Sequence, residues 1–216
     1  MPGHDPDQSD TTYISVENVE ARLTAWLKAH GHARVRCMYG CSMGGGVVAR
    51  LLASGEILAD CAVIDAGMTP YQLPKPLTFF IGVRDWCMTE IGKHASLNAL
   101  RGVFDPTKYS EEDLRYVKKV LKSMSARTIW NGFYSANNYS MPGPVPRLDC
   151  PVQYWYGEQE KKARKWDIAY MRRTFPGVTF VENLGQDHAE FFTLHPEAFC
   201  RQLTAFIESS SAARQP

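Results

Sequence analysis

Val35-Arg36-Cys37-Met38-Tyr39-Gly40-Cys41-Ser42-Met43-Gly44-Gly45-Gly46-Val47-Val48-Ala49 runs without a break from an apolar strand, through a serine bracketed by glycines, into a small-residue helix. The centre, residues 40–44, matches G-x-S-x-G. A serine on a sharp strand-to-helix turn projects its hydroxyl above a sheet, and the flanking glycines let backbone approach backbone there. The pentapeptide alone is a weak signal. The strand before it and the helix after it (residues 43–54) supply the context the motif requires. Ser42 is therefore the candidate nucleophile, and the backbone N–H of Met43, the next residue, is the candidate oxyanion donor.

Working outward, Ser15 reads as an N-cap, with Glu17 and Glu20 in a first turn where carboxylates favour the helix dipole. Val16, Val19, Leu23, Trp26 and Leu27 recur at helical spacing, predicting an amphipathic helix over 16–29 that stops near Gly31. Further strands are expected at 61–65, 152–156 and 178–181, with helices at 162–174 and from 196 to about 208. The last residues, 209–216, form a polar tail expected to fray. Strands alternating with helices imply βαβ units and a parallel sheet. The interval 68–149 breaks the rhythm, is too long for a loop, and reads as a helical cap inserted between two strands of a single domain. Phe79, Phe80, Trp86, Trp130, Phe133, Tyr134 and Tyr139 make it aromatic, which suits an apolar pocket wall. Aromatics at helical spacing serve cores more often than ligands, so none is assigned to binding.

A serine nucleophile needs a base and an acid that orients the base. Six histidines are available. His4 lies in a polar segment, His30 and His32 at the wrong end of a strand, His94 in the cap, and His195 directly before Pro196. His188 follows the strand at 178–181 in the loop 184–188, where such sites assemble at the carboxyl ends of parallel strands. His188 is the candidate base. The acid should fall between the two in the chain. Glu160, in the loop after the strand at 152–156, is preferred; Glu158 and Asp65 are the alternatives. Asp187 is expected to brace the histidine loop.

The 216 residues suffice for one compact domain with a sizeable core. A net charge of +1 gives no electrostatic reason to expect nucleic acid or an anionic membrane as partner. The basic run 161–165 reads as the solvated face of a helix. No apolar stretch reaches transmembrane length, and the first residues lack the features of a signal peptide. The six cysteines form no C-x-x-C pair and read as small buried hydrophobes of a reducing compartment. No metal or other cofactor is expected, and a cytoplasmic location is the default.

With these residues in place, the chain resembles the α/β-hydrolase superfamily, in particular small bacterial α/β fold hydrolases, over nearly its whole length. Residues 40–46 match the nucleophile elbow, 156–160 the acid segment, 185–188 the histidine loop and 195–199 the start of the last helix. The resemblance implies a parallel sheet with flanking helices and a helical cap, and Ser42, Glu160 and His188 as a catalytic triad. Residues 1–5 are similar to a Gly-His segment that follows the fourth strand in that family. The resemblance thus implies a form truncated at its N-terminus, without the first strands and the His-Gly loop that supplies a second oxyanion donor. Losing one such donor costs roughly 10²–10³ in turnover. Missing strands would also bare an edge of the strand at 35–39 to pairing with a second copy. A reading frame opened at an internal methionine is the favoured account, and a genuine short form the alternative. The expected reaction is hydrolysis of a small or medium carboxylic ester through an acyl-Ser42 intermediate. Thioester or amide hydrolysis and acyl transfer would use the same groups. The contrasting reading is a non-catalytic binding module or an inactive form.

Overall fold

The computed structural model describes residues 1–8, 10–70 and 73–212. These divide into two compact units, one made of Val16–Thr69 with Ser140–Pro216, the other of Met1–Ser15 with Pro70–Tyr139.

The first unit begins with helix α1 (Val16–Ala29) and continues through strand β1 (Arg34–Cys41), helix α2 (Met43–Ser54) and strand β2 (Leu58–Asp65). The second unit contributes its four helices, α3 (Lys75–His94), α4 (Leu97–Arg101), α5 (Glu111–Ser123) and α6 (Ala126–Asn138), before the chain returns. It then forms β3 (Val152–Gly157), α7 (Lys165–Thr174), β4 (Thr179–Asn183), α8 (Glu190–Leu194) and α9 (Pro196–Ala212). The sheet order is β1-β2-β3-β4, and every pairing is parallel. Cys41 pairs with Asp65, Asp65 with Trp155, and Gly157 with Asn183, so the carboxyl ends of all four strands lie along one rim.

Covering helices explain why β2 is so apolar: Cys61, Ala62, Val63 and Ile64 are buried without regard to alternation, as expected of an interior parallel strand. Tyr154 and Trp155 on β3 are likewise inaccessible. Phe199 of α9 packs its ring against Tyr39 and Trp155, at centroid distances of 5.1 and 6.1 Å. β1 carries β2 on one side and no strand on the other among the described residues, and Arg34 and Arg36 are exposed on it.

Four expectations are corrected in this unit. Helix α1 does not bury its apolar stripe: Val16 is buried together with Glu20 and Thr24, whereas Leu23 and Trp26 are exposed. The reason is Arg50 of α2, whose Nη2 donates to Glu20 Oε2 at 3.2 Å while Thr24 donates to Oε1. A charge pair set between packed helices turns the polar side inward. Glu20 is thus an ion-pair partner and no dipole cap. Helix α7 starts three residues later than expected, because 158–164 are turns, and α9 extends through 209–212, where fraying was expected. Residues 213–216 of the expected tail lie outside the described residues.

In the second unit, α3 packs on α6 through Phe79 against Trp130, with Trp130 stacked on Tyr134 at 5.6 Å. The N-terminal segment is tied to α6: Tyr13 is fully buried, its N–H donates to Thr128 Oγ1, and Asn131 Nδ2 donates to its carbonyl. Among the described residues, no helix is long and apolar enough to cross a membrane.

Candidate active site

Ser42 stands between the end of β1 and the first residue of α2, with φ at 54°, a left-handed conformation rare for a residue with a side chain. Its spacing to the glycines has a steric cause. A Cβ on Gly40 would lie 2.3 Å from the carbonyl oxygen of Gly44, and one on Gly45 would lie 2.4 Å from Gly67 Cα. The turn is held by Ser42 N–H donating to Asp65 O at 2.8 Å, and by Gly45 and Met68 N–H groups donating to Ser42 O. Met43 opens α2, so its N–H is among those a helix leaves without an intrahelical acceptor, at the positive end of the dipole.

His188 lies in the loop after β4, its side chain 37% exposed, and its Nδ1 is 2.8 Å from Glu160 Oε2. Glu160, in the turn after β3, is 5% exposed. Its other oxygen accepts the Gly157 N–H at 3.1 Å. Burial pushes the Glu160 carboxyl up, but the bonds from His188 and Gly157 and the nearby Arg164 charge outweigh it and hold the group below its usual range. An ionised carboxylate only accepts, so Nδ1 carries the shared proton and Nε2 of the neutral ring is left with a lone pair. Ser42 Oγ has no hydrogen-bond partner among the described residues. The described unit thus joins Glu160 to His188 directly and sets Ser42 on the same rim of the sheet.

The alternatives for the acid are placed elsewhere. Glu158 is exposed and its Oε2 accepts the Gly185 N–H at 2.8 Å. Asp65, buried at the end of β2, accepts the Tyr39 hydroxyl at 2.7 Å. Burial raises the Asp65 carboxyl and the Glu160 charge adds to this, against the Tyr39 bond. Asp187 accepts the N–H of His188, and its own N–H donates to Glu190. Burial, with the charges of Asp65 and Glu160, pushes the thiol of Cys41 far up, so this neighbour of Ser42 stays protonated and a poor competing nucleophile. Of the other histidines in this unit, His30 and His32 stack on Trp26 before β1, and His195 caps α8. His4 and His94 belong to the other unit.

The sequence model of the alpha/beta hydrolase family matches residues 1–202. The chain belongs to the alpha/beta hydrolase family. Solved structures agree on the fold of this alpha/beta hydrolase. MenH from S. aureus shares 16% identity and a TM-score of 0.69, over 97% of this chain and 82% of that one. A carboxylesterase structure from Nitrososphaera gargenis shares 17% identity and a TM-score of 0.66, over 94% and 74%. The type II thioesterase BorB from the borrelidin biosynthetic cluster shares 18% identity and a TM-score of 0.59, over 95% and 78%. Comparison with curated proteins returned no match.

Two residues of the candidate site escaped the sequence. Arg164 stood inside a run read as a solvated helix face, yet its side chain is only 17% exposed and contacts both Glu160 and Asp167. Asp167 is correspondingly buried and accepts both the N–H and the hydroxyl of Thr69. The signal available was spacing: Glu160, Arg164 and Asp167 follow one another at four and three residues, a ladder that lets one guanidinium meet two carboxylates.

Proposed function

We propose that this alpha/beta hydrolase cleaves a small or medium carboxylic ester by way of an acyl-Ser42 intermediate. The observation that carries this reading is the 2.8 Å contact of His188 Nδ1 with the buried, ionised Glu160, in the unit that holds Ser42 on a strained turn at the head of α2. In the first half-reaction Ser42 Oγ attacks the ester carbonyl as its proton passes to His188 Nε2, and Glu160 stabilises the imidazolium. Negative charge gathers on the carbonyl oxygen, where the Met43 N–H donates. The imidazolium then gives its proton to the departing alkoxide. Water, deprotonated by the same nitrogen, attacks the acyl-enzyme and returns Ser42 with a free carboxylic acid. Thioesters would follow the same steps with a thiolate leaving.

Labelling with a fluorophosphonate tests the nucleophile. The wild-type chain should acquire one phosphonyl adduct, located by mass spectrometry on Ser42, and Ser42→Ala should acquire none. Adducts that persist in Ser42→Ala would refute the assignment, and a folded wild-type chain that never labels would point to a binding module.

A further inference from the structure

Glu160 and His188 sit in a cluster of titratable groups drawn from every surrounding element. Tyr39 and Cys41 come from β1, Asp65 from β2, Tyr154 from β3, Arg164 and Asp167 from the start of α7, and Asp187 and Glu190 from the histidine loop and α8. Burial keeps the two phenols and the thiol neutral. What remains beside the histidine is a group of carboxylates and one guanidinium.

That guanidinium is placed with some care. Arg164 caps the start of α7, and its backbone N–H donates to the Glu160 carbonyl at 2.9 Å, so it is fixed one turn beyond the acid. Its Nε lies 3.2 Å from Glu160 Oε2, the same oxygen that meets His188, but the N–H is not aimed at it. The contact is one of charge rather than a directed bond. Its Nη1 donates to Asp167 Oδ2 at 3.1 Å. Asp167 in turn accepts the N–H and hydroxyl of Thr69 at 2.9 and 2.7 Å; burial pushes its carboxyl up, and these bonds together with the Arg164 charge oppose that rise and favour the ionised form.

We infer that Arg164 and Asp167 are positioning residues that set how readily the Glu160–His188 pair takes up a proton. Arg164 opposes protonation by its charge on the shared oxygen, and Asp167 moderates that charge and holds the guanidinium in place. The inference rests on the reading of Glu160 and His188 as the acid and base. It goes beyond that reading by assigning the pair's working pH to two residues whose polar contacts are with Glu160, Thr69 and each other.

The test follows His188 imidazole chemical shifts against pH by NMR, and in parallel the pH profile of kcat/KM for p-nitrophenyl butyrate. Arg164→Met removes a cation, so the pair's apparent midpoint and the acidic limb should both rise, by roughly half a unit to one unit. Arg164→Lys should restore most of that shift. Asp167→Asn frees the cation from its counter-charge and should move both in the opposite direction. A purely structural role would lower turnover or Tm without displacing the midpoint. Unmoved midpoints in folded Arg164→Met and Asp167→Asn, or shifts of the same sign in both, overturn the inference. Should Arg164→Met fail to fold, Asp167→Asn and Arg164→Lys decide alone, through the downward shift of the first and the near-normal midpoint of the second. Should the chain hydrolyse no ester, the NMR titration still reads the effect, so failure of the proposed function and failure of this inference are separable.

Discussion

Gly157→Ala probes whether the acid and histidine loops are built as one piece. Gly157 ends β3, three residues before Glu160, and its backbone faces the loop that carries His188. A Cβ there would stand 2.4 Å from the carbonyl oxygen of Gln186, 2.8 Å from its carbon and 3.0 Å from Asp187 O. Ordinary non-bonded contact begins near 3.5 Å, so the shortfall is about 1 Å, and it falls on backbone, which cannot rotate away. The loop must retreat, and it is tied where it stands: Gln159 N–H donates to Gln186 O at 3.0 Å, and Glu158 holds Gly185. A retreat of that size takes the 2.8 Å contact of His188 with Glu160 out of hydrogen-bond range. Overpacking of this kind destabilises by about 1–3 kcal/mol. Misplacing a catalytic group by about 1 Å costs on the order of 10² in rate. Turnover of p-nitrophenyl butyrate, with Tm from circular dichroism, measures both. Gly92→Ala on α3, where a Cβ meets nothing within 4 Å, is the control and should keep activity. A folded Gly157→Ala with wild-type turnover would refute the idea that this approach fixes the histidine.

Glu160→Gln should lower kcat by roughly 10³–10⁴, as loss of the orienting acid does in serine hydrolases, while Glu158→Gln should change it little. Steady-state kinetics of the two separate them, and a near-normal Glu160→Gln beside a crippled Asp65→Asn would transfer the role to Asp65. Tyr39→Phe removes the donor to buried Asp65, whose carboxyl already lies above its usual value. A raised carboxyl takes up more protons folded than unfolded, so its stability contribution falls as pH rises through the window above 3.8. The variant should therefore lose about 1–3 kcal/mol near neutral pH and less near pH ~4, read from urea melts at both values. An equal loss at the two would show that Asp65 is already neutral at pH 7.

The sheet was legible because each strand carries β-branched or aromatic residues with a glycine within a few positions of its end, and because the serine turn needs glycines where they stand. Residues 40–45 declare their geometry in composition. Periodicity failed at α1, where Val19, Leu23 and Trp26 imitate a buried stripe, and the buried side is decided by Arg50, thirty residues beyond Glu20. No local pattern reports a partner that distant. Arg164 was hidden for the opposite reason: four basic residues among five look like solvent-facing charge, and only the fold turns Arg164 inward while Lys161, Lys162 and Lys165 stay exposed. The acid was open among Glu158, Glu160 and Asp65 because all three end up near the same rim. What separates them is burial and one hydrogen bond, and neither is written in spacing.

Strain at Ser42 and order around it have to be weighed together. A non-glycine residue held at positive φ costs of order 1–3 kcal/mol, and Ser42 has no side-chain cap of its own to offset it. Three backbone hydrogen bonds converge on its peptide groups instead, from Gly45, from Met68 and to Asp65. Each is worth about 1 kcal/mol net, so together they match the strain without exceeding it by much. They leave the hydroxyl uncommitted, whereas His188 and Glu160 are bound to each other and to backbone. Ser42, the proposed nucleophile, is therefore fixed through its main chain and free at its side chain, and His188, the proposed base, is fixed at Nδ1 and free at Nε2. An arrangement that leaves uncommitted the two groups between which the proposed mechanism passes a proton places its rigidity where catalysis by a serine needs it.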